Sequence, residues 1–388
     1  MTLYNIVAAT NEATVVAECP PNPYRSDSYQ SEADLEHEFI KQLEEQGYEF
    51  IQIHGEGTLV NNLRMQLEAL NQLSFSDAEW ERFYSEKIAN AREGITEKTF
   101  KIQQDFVQLL RRDDDSIVNV RLIDKSNIHN NRLQVLNQYE APGGKYPSRY
   151  DVTILVNGFP MIHVELKRRG VALREAFNQI NRYSRESFWS GSGLFDYVQL
   201  FVISNGTHTK YYSNTTRQKH IDDQKPGSIP SGKKGSHSFE FTNFWADSAN
   251  RIIPDLVDFT RTFFAKHTLL NILTRYCVFN SQNELLVMRP YQIAATERIL
   301  NRIITSSNMR QTGTLDAGGY IWHTTGSGKT LTSFKTAQLA TDIPGIEKVL
   351  FVVDRKDLDY QTMQEYDKFQ KGAANGNTST RELQKQLE

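Results

Sequence analysis

The stretch from Arg149 to Lys167 constrains this chain more than any other. Two β-branched and apolar runs flank Asn157-Gly158, the dipeptide most willing to take the positive φ angles of a tight turn, so the stretch reads as a β-hairpin. Alternate strand residues share a face, which puts Val152, Ile154 and Val156 together with Ile162, Val164 and Leu166 on one buried side. The other side collects Asp151 and Thr153 from the first strand and His163, Glu165 and Lys167 from the second. A strict two-residue turn pairs positions summing to 315 and would set Asp151 and Glu165 on opposite faces. The apolar pattern needs an even sum. A three-residue loop or a bulge is therefore expected, with Pro160, which cannot donate to the ladder, as the irregular position.

An Asp on one strand followed by Glu-x-Lys on the next resembles the core motif of the PD-(D/E)xK nuclease superfamily. Here the motif is Asp151, Glu165 and Lys167, with Tyr150 where the superfamily's proline stands. Chemistry explains the residue types. Two carboxylates hold a hard cation such as Mg²⁺, the cation activates a water and neutralises phosphate charge, and the lysine steadies that water or the pentavalent state. The next segment, Leu173 to Tyr183, has helical character and places Gln179 and Tyr183 at i and i+4. That pair resembles the Gln-xxx-Tyr motif of the RecB-type branch of the superfamily. Upstream, Ser31-Glu32-Ala33-Asp34 starts a helix with a stripe of Leu35, Phe39 and Leu43, flanked by Glu32 and Glu36. In the RecB-type branch an acid from the first helix approaches the metal, and Glu36 is the candidate.

The chain has 388 residues, 39% hydrophobic and 23% charged, with a net charge of only −3. This is ordinary for a two-domain globular protein, and any contact with nucleic acid must come from local patches. Cys19 and Cys277 show neither metal spacing nor a disulfide framework, which suits a reducing compartment; cytoplasm is the expectation. No signal peptide or membrane span is legible. The pattern from Asn62 to Leu110 reads as helical. Ile117–Ile123 and Leu133–Leu136 read as strands leading into the hairpin, with Tyr197–Ser204 and Thr207–Tyr212 after it. The fold class expected is α/β, a mixed sheet with flanking helices over residues 1–260. The polar run Thr215 to Ser238, with Lys233 and Lys234, reads as a long mobile loop.

Residues 261–388 read as a second domain. Thr324-Thr325-Gly326-Ser327-Gly328-Lys329-Thr330 is a phosphate loop. Its glycines expose backbone N–H groups to phosphate, Lys329 reaches the β and γ phosphates, and Thr330 ligates Mg²⁺ at a helix N-terminus. His323 stands where the strict pattern wants glycine, as happens in motif I of superfamily 2 helicases, which this stretch resembles. A strand Tyr320–His323, a helix from Lys329 to about Ala340 and a parallel strand Val349–Asp354 are expected, forming a βαβ unit. Asp354-Arg355 with Leu358 and Gln361 resembles the motif Ia region, and Gln292 in Arg-Pro-Tyr-Gln sits where that superfamily places its adenine-reading glutamine. The phosphate-site candidates are thus Gln292, Thr325, Gly326, Ser327, Gly328, Lys329 and Thr330, for ATP with Mg²⁺.

A RecB-like nuclease followed by a superfamily 2 motor resembles the restriction subunit of type I restriction-modification enzymes. The resemblance implies an ATP-dependent translocase and endonuclease acting on double-stranded DNA with separate methyltransferase and specificity subunits, away from any membrane. Two alternatives stand beside it: a DNA repair helicase-nuclease, whose nuclease would normally follow the motor, and a non-catalytic assembly module. No acidic motor motif and no second RecA-like domain follow Asp354. The expectation is an incomplete RecA-like domain, an N-terminal part of a longer subunit, with no DNA-stimulated ATPase activity on its own.

Overall fold

The computed structural model describes residues 13–20, 30–53, 55–141, 148–186, 193–215, 239, 241–353, 356–376 and 379–387. The chain divides into two compact units, residues 1–279 with 285–287, and residues 280–284 with 288–388.

The first unit is built on a mixed six-stranded sheet. Helix α1 (Glu32–Glu45) leads to β1 (Glu49–Phe50) and α2 (Glu56–Asn71). Then follow α3 (Asp77–Phe83), a π-helical turn at Tyr84–Ile88, α4 (Ile95–Gln103), β2 (Val107–Arg111) and β3 (Ile117–Arg121). Strands β4 (Leu133–Ala141), β5 (Ser148–Val156) and β6 (Phe159–Leu166) precede α5 (Leu173–Glu186), β7 (Leu200–Ser204) and β8 (Thr209–Ser213). The sheet order is β1-β4-β5-β6-β7-β8; β1 runs parallel to β4 and β6 to β7, and the other neighbours are antiparallel. Helix α1 begins where the sequence places it, because Ser31 and Asp34 form a reciprocal capping box that satisfies otherwise unpaired N–H groups. Its stripe of Leu35, Phe39, Ile40 and Leu43 is buried, each such side chain contributing about 1.5–3 kcal/mol.

The hairpin contains both a tight turn and a bulge. Asn157 and Gly158 take φ of 50° and 83°, and Val156 pairs with Phe159, so the turn is a strict two-residue one. Between Ile154 and Leu155 the register shifts. Pro160 keeps a partner in Leu155, whereas Met161 falls between the pairs, so the extra residue is Met161 and not Pro160. The expected polar side of the hairpin is not solvated either. Thr153, His163 and Glu165 are all fully buried, because helix α5 packs on β6 and β7.

Other expectations shift. The helical reading of Asn62–Leu110 gives way at its end to strand β2, which pairs with β3 in a separate two-stranded sheet and leaves β3 outside the main one. Tyr197 closes a 3-10 turn, Leu194–Tyr197, and the strand begins only at Leu200. The first compact unit runs beyond the expected break at 260. Helices Leu256–Phe263 and Lys266–Thr274 put Phe259, Phe263, Leu269 and Leu270 into its core, Phe264 stacks edge-on against Phe39, and Tyr48 donates to the Phe264 carbonyl.

In the second unit, helix Pro290–Asn308 packs against helix Lys329–Ala340, whose limits match the expectation. Helices Lys356–Phe369 and Thr380–Leu387 follow. The strands expected at 320–323 and 349–353 do not form. A strand needs a hydrogen-bonded neighbour, and none lies beside these segments among the described residues; Tyr320 and Trp322 are 85% and 88% exposed. The loop expected between Thr215 and Ser238, with Lys233 and Lys234, and the pair Asp354-Arg355 lie outside the described residues. No described helix is long and apolar enough to cross a membrane.

Candidate active site

The bulge decides the site. Beyond it the pairs are Ile154 with Ile162, Thr153 with His163 and Val152 with Val164, an even-sum register which, carried one step on, sets Asp151 opposite Glu165. The two acids meet. Asp151 accepts from the Leu166 amide at 2.9 Å. Glu165 is fully buried, and its Oε1 accepts from Lys167 Nζ at 3.0 Å. The Lys167 ammonium also donates to the Leu166 carbonyl at 2.9 Å.

Burial is the main cause of the electrostatics here. It pushes the Asp151 carboxyl up to about 7, with the nearby Glu165 charge adding to the effect. Burial likewise pushes Glu165 up to about 7, against the pull of Lys167. Desolvation works against the Lys167 ammonium, but Glu165, Asp151 and Glu32 together hold its pKa above the ordinary lysine value. Two raised carboxyls beside a charged lysine in one corner mark a candidate site by their perturbed electrostatics.

Two acids of α1, Glu36 and Glu32, reach this corner. Glu36 is half-buried and accepts from the side-chain amides of Asn137 and Gln138; Gln138 sits at a positive φ of 50° in β4, opposite the start of β5. Desolvation raises the Glu36 pKa despite those two bonds, and the Asp151 charge adds to the rise. Glu32, on the same stripe edge but given no role by sequence reasoning, lies 3.9 Å from Lys167 Nζ. On α5, Gln179 donates to the Tyr183 hydroxyl, which donates to the Arg149 carbonyl at 2.8 Å. The Tyr183 ring stands edge-on to Tyr150 and to His163 at 5.1 and 6.1 Å, so the i, i+4 pair packs on the hairpin that carries the acids.

The donor set fits one small hard cation. Among the described residues no three His, Cys, Asp or Glu side chains converge on a point as a metal cage would require. Asp151 and Glu165 offer carboxylate oxygens, and Glu165 Oε2 is buried without a hydrogen bond of ordinary length from the described residues. Mg²⁺ is held in this way, by one or two carboxylates with water completing the shell.

In the second unit the loop has the conformation its glycines permit. Gly326 and Gly328 both take φ of 78°, and Gly328 caps helix Lys329–Ala340 from the left-handed region. Lys329 Nζ donates to the Thr324 carbonyl at 3.0 Å, and the Ser327 hydroxyl donates to the same carbonyl at 2.7 Å. Gln292 is buried; its Oε1 accepts from the Arg289 amide at 2.8 Å and its Nε2 donates to the Ser327 carbonyl at 2.9 Å. The Tyr291 hydroxyl donates to that carbonyl too, at 2.8 Å. Thr325 is exposed at the loop and Thr330 lies in the first turn of the helix.

Comparison with known proteins places these two regions in one family. Residues 29–220 match the model described as "Type I restriction enzyme R protein N terminus", and residues 291–388 match that of the SWI2/SNF2 ATPase. The chain is 48% identical over 311 residues to the "Type I restriction enzyme EcoprrI endonuclease subunit" of Escherichia coli, covering 79% of this chain and 94% of that one. Type I restriction enzyme endonuclease subunits of Staphylococcus saprophyticus and Staphylococcus aureus are 40% and 39% identical over 92% and 93% of this chain. The chain spans 35% and 36% of the length of those two relatives. With its hairpin acids, lysine and phosphate loop, the chain belongs to the endonuclease-subunit family of type I restriction enzymes.

Proposed function

We propose that the first unit is a metal-dependent nuclease of the PD-(D/E)xK kind that cuts double-stranded DNA, and that the second is the start of a RecA-like motor whose phosphate loop binds ATP. In this reading the chain acts with separate methyltransferase and specificity subunits, the latter choosing the DNA sequence. The observation that carries the reading is the even-sum register, which brings Asp151, Glu165 and Lys167 to one buried corner.

Asp151 and Glu165 would hold the cation, here Mg²⁺. When bound it supplies a Lewis acid that activates water and neutralises charge on the phosphate. Lys167 stays an ammonium beside Glu165 and steadies the attacking water or the charge of the pentavalent state. Glu32 helps keep that ammonium in place, and Glu36 closes the Asp151 side with its carboxyl fixed by two amides. Tyr183 clamps the start of β5 through the Arg149 carbonyl, and Gln179 fixes the Tyr183 hydroxyl, so the pair orients the strand that carries Asp151. At the phosphate loop, Thr325 to Gly328 would offer backbone N–H groups to phosphate, Lys329 would exchange the Thr324 carbonyl for phosphate, and Thr330 would be the hydroxyl ligand of the nucleotide's Mg²⁺. Gln292 Nε2 donates to the Ser327 and Gly328 carbonyls at 2.9 and 3.5 Å, so it would read an adenine edge by exchanging the longer of these bonds and using the second lone pair of its Oε1.

In the assembled complex on circular DNA carrying a recognised site, Asp151→Ala, Glu165→Ala and Lys167→Ala should each lower cleavage by roughly 10²–10⁴-fold, the scale of a removed catalytic group. ATP hydrolysis measured in the same tubes should stay near the unaltered level. Near-normal cutting by any one variant removes that residue from the site, and by all three removes the nuclease reading.

A further inference from the structure

The face that carries Glu165 and Lys167 also carries His163, two residues back along β6, and the chemistry above does not use it. His163 is fully buried. Its Nδ1 lies 3.4 Å from Oγ1 of Thr153, its partner across the hairpin, and its Nε2 lies 3.5 Å from Glu165 Oε2. The rings of Tyr150, Tyr183 and Phe201 stand edge to face around it at 5.4, 6.1 and 6.3 Å. Rings from β5, α5 and β7 thus enclose the imidazole. As mere filling it would be a poor choice, because a buried ring nitrogen costs free energy unless something bonds to it, and phenylalanine would fill the same space without that cost.

We infer that His163 is a positioning residue for Glu165. We assign the tautomer in which the Thr153 hydroxyl donates to Nδ1 and the ring proton sits on Nε2, so that Nε2–H faces Glu165 Oε2. Oε1 is held by the Lys167 hydrogen bond, Oε2 is flanked by His163 Nε2 at 3.5 Å, an electrostatic approach and not an aligned hydrogen bond, and each oxygen keeps a lone pair for the cation it shares with Asp151. In this tautomer the neutral ring donates from Nε2, as the protonated ring does, so the contact to Glu165 does not depend on titration. Outer partners that orient a metal-binding group in this manner are worth about 10–100-fold in metal affinity. The inference rests on the metal-site reading above.

The test is Mn²⁺ binding to this chain without nucleotide, followed by electron paramagnetic resonance and calorimetry, with metal-free melting to check folding. His163→Phe should weaken Mn²⁺ binding by roughly tenfold or more, and Thr153→Val by a smaller factor. His163→Gln, whose amide keeps an N–H donor, should retain more affinity than His163→Phe. Cleavage lost in His163→Phe should return as Mg²⁺ is raised, as expected for weakened binding and not for a lost catalytic group. Unchanged Mn²⁺ affinity in folded His163→Phe, with Asp151→Asn losing binding, overturns the inference and leaves the metal site standing. Equal losses in the Phe and Gln variants overturn it as well, since shape alone would then be the cause. Should His163→Phe not fold, Thr153→Val decides: unaltered affinity there overturns the inference. If Asp151→Asn binds Mn²⁺ like the unaltered chain, the metal-site reading itself falls, and the inference with it.

Discussion

Burial of Asp151 and Glu165 has a consequence for stability that can be measured without DNA. Their carboxyls rise from ordinary values of 3.8 and 4.5 to about 7 in the fold. A group whose folded pKa is raised stabilises the fold fully below its unfolded pKa and loses that contribution as pH climbs through the folded one. The metal-free protein should therefore lose melting temperature between about pH 4 and pH 7 on account of this pair. The double variant Asp151→Asn, Glu165→Gln should show a flatter profile over that window, and Mg²⁺ should restore stability near neutrality in the unaltered chain alone. A parallel pH profile in the two proteins would mean the carboxyls are ordinary. These two residues and Lys167 were legible in the sequence, because alternation along a strand and the chemistry of their side chains both point to them. Glu32 was not, because its approach to Lys167 depends on where the capping box of α1 comes to rest against β6. His163 was visible on the right face, but its neighbours Tyr183 and Phe201 come from α5 and β7, which no local pattern brings to it.

The hairpin turn is where the fold tolerates least. Gly158 takes φ of 83°, and a Cβ placed there would lie 2.7 Å from the Leu63 Cα of α2. Gly158→Ala should cost about 2 kcal/mol or more, a left-handed backbone penalty of about 1–2 kcal/mol plus displacement of a packed helix. Gly170 has a similar φ of 87° with nothing within 4 Å, so Gly170→Ala should show only the backbone part. Equal losses in chemical denaturation would refute the close approach of α2 to the turn. The Asn-Gly turn and the need for an extra residue were both readable from the sequence; which residue bulges was not, because Pro160 accepts a place opposite Leu155 and passes the irregularity to Met161. Strand β2 was missed because Val107–Arg111 follows a long helical pattern and pairs only locally with β3. The segments at 320–323 and 349–353 carry a strand's composition without a strand's neighbour, so apolar content alone overstated them.

On the scale of the whole chain, helices Leu256–Phe263 and Lys266–Thr274 and the short antiparallel pair Cys277–Phe279 with Leu285–Val287 belong to the first unit. A fragment ending after Val287 should unfold cooperatively by calorimetry and circular dichroism, whereas one ending at residue 260 should not, since it discards Phe263, Phe264, Leu269 and Leu270 from the core. A cooperative transition from the shorter piece would restore the boundary expected from sequence. The sequence leaves open whether the helical pattern from Asp255 to Leu273 ends the first domain or begins the next, because the pattern says nothing of which core it fills. The central claim is that Asp151 and Glu165 share one cation on the bulged hairpin, and anomalous diffraction from crystals grown with Mn²⁺ tests it most directly. The account predicts one peak with a carboxylate oxygen of Asp151 and one of Glu165 both within about 2.3 Å. No peak between those two carboxylates at saturating Mn²⁺, or a cation held by other side chains, would contradict it.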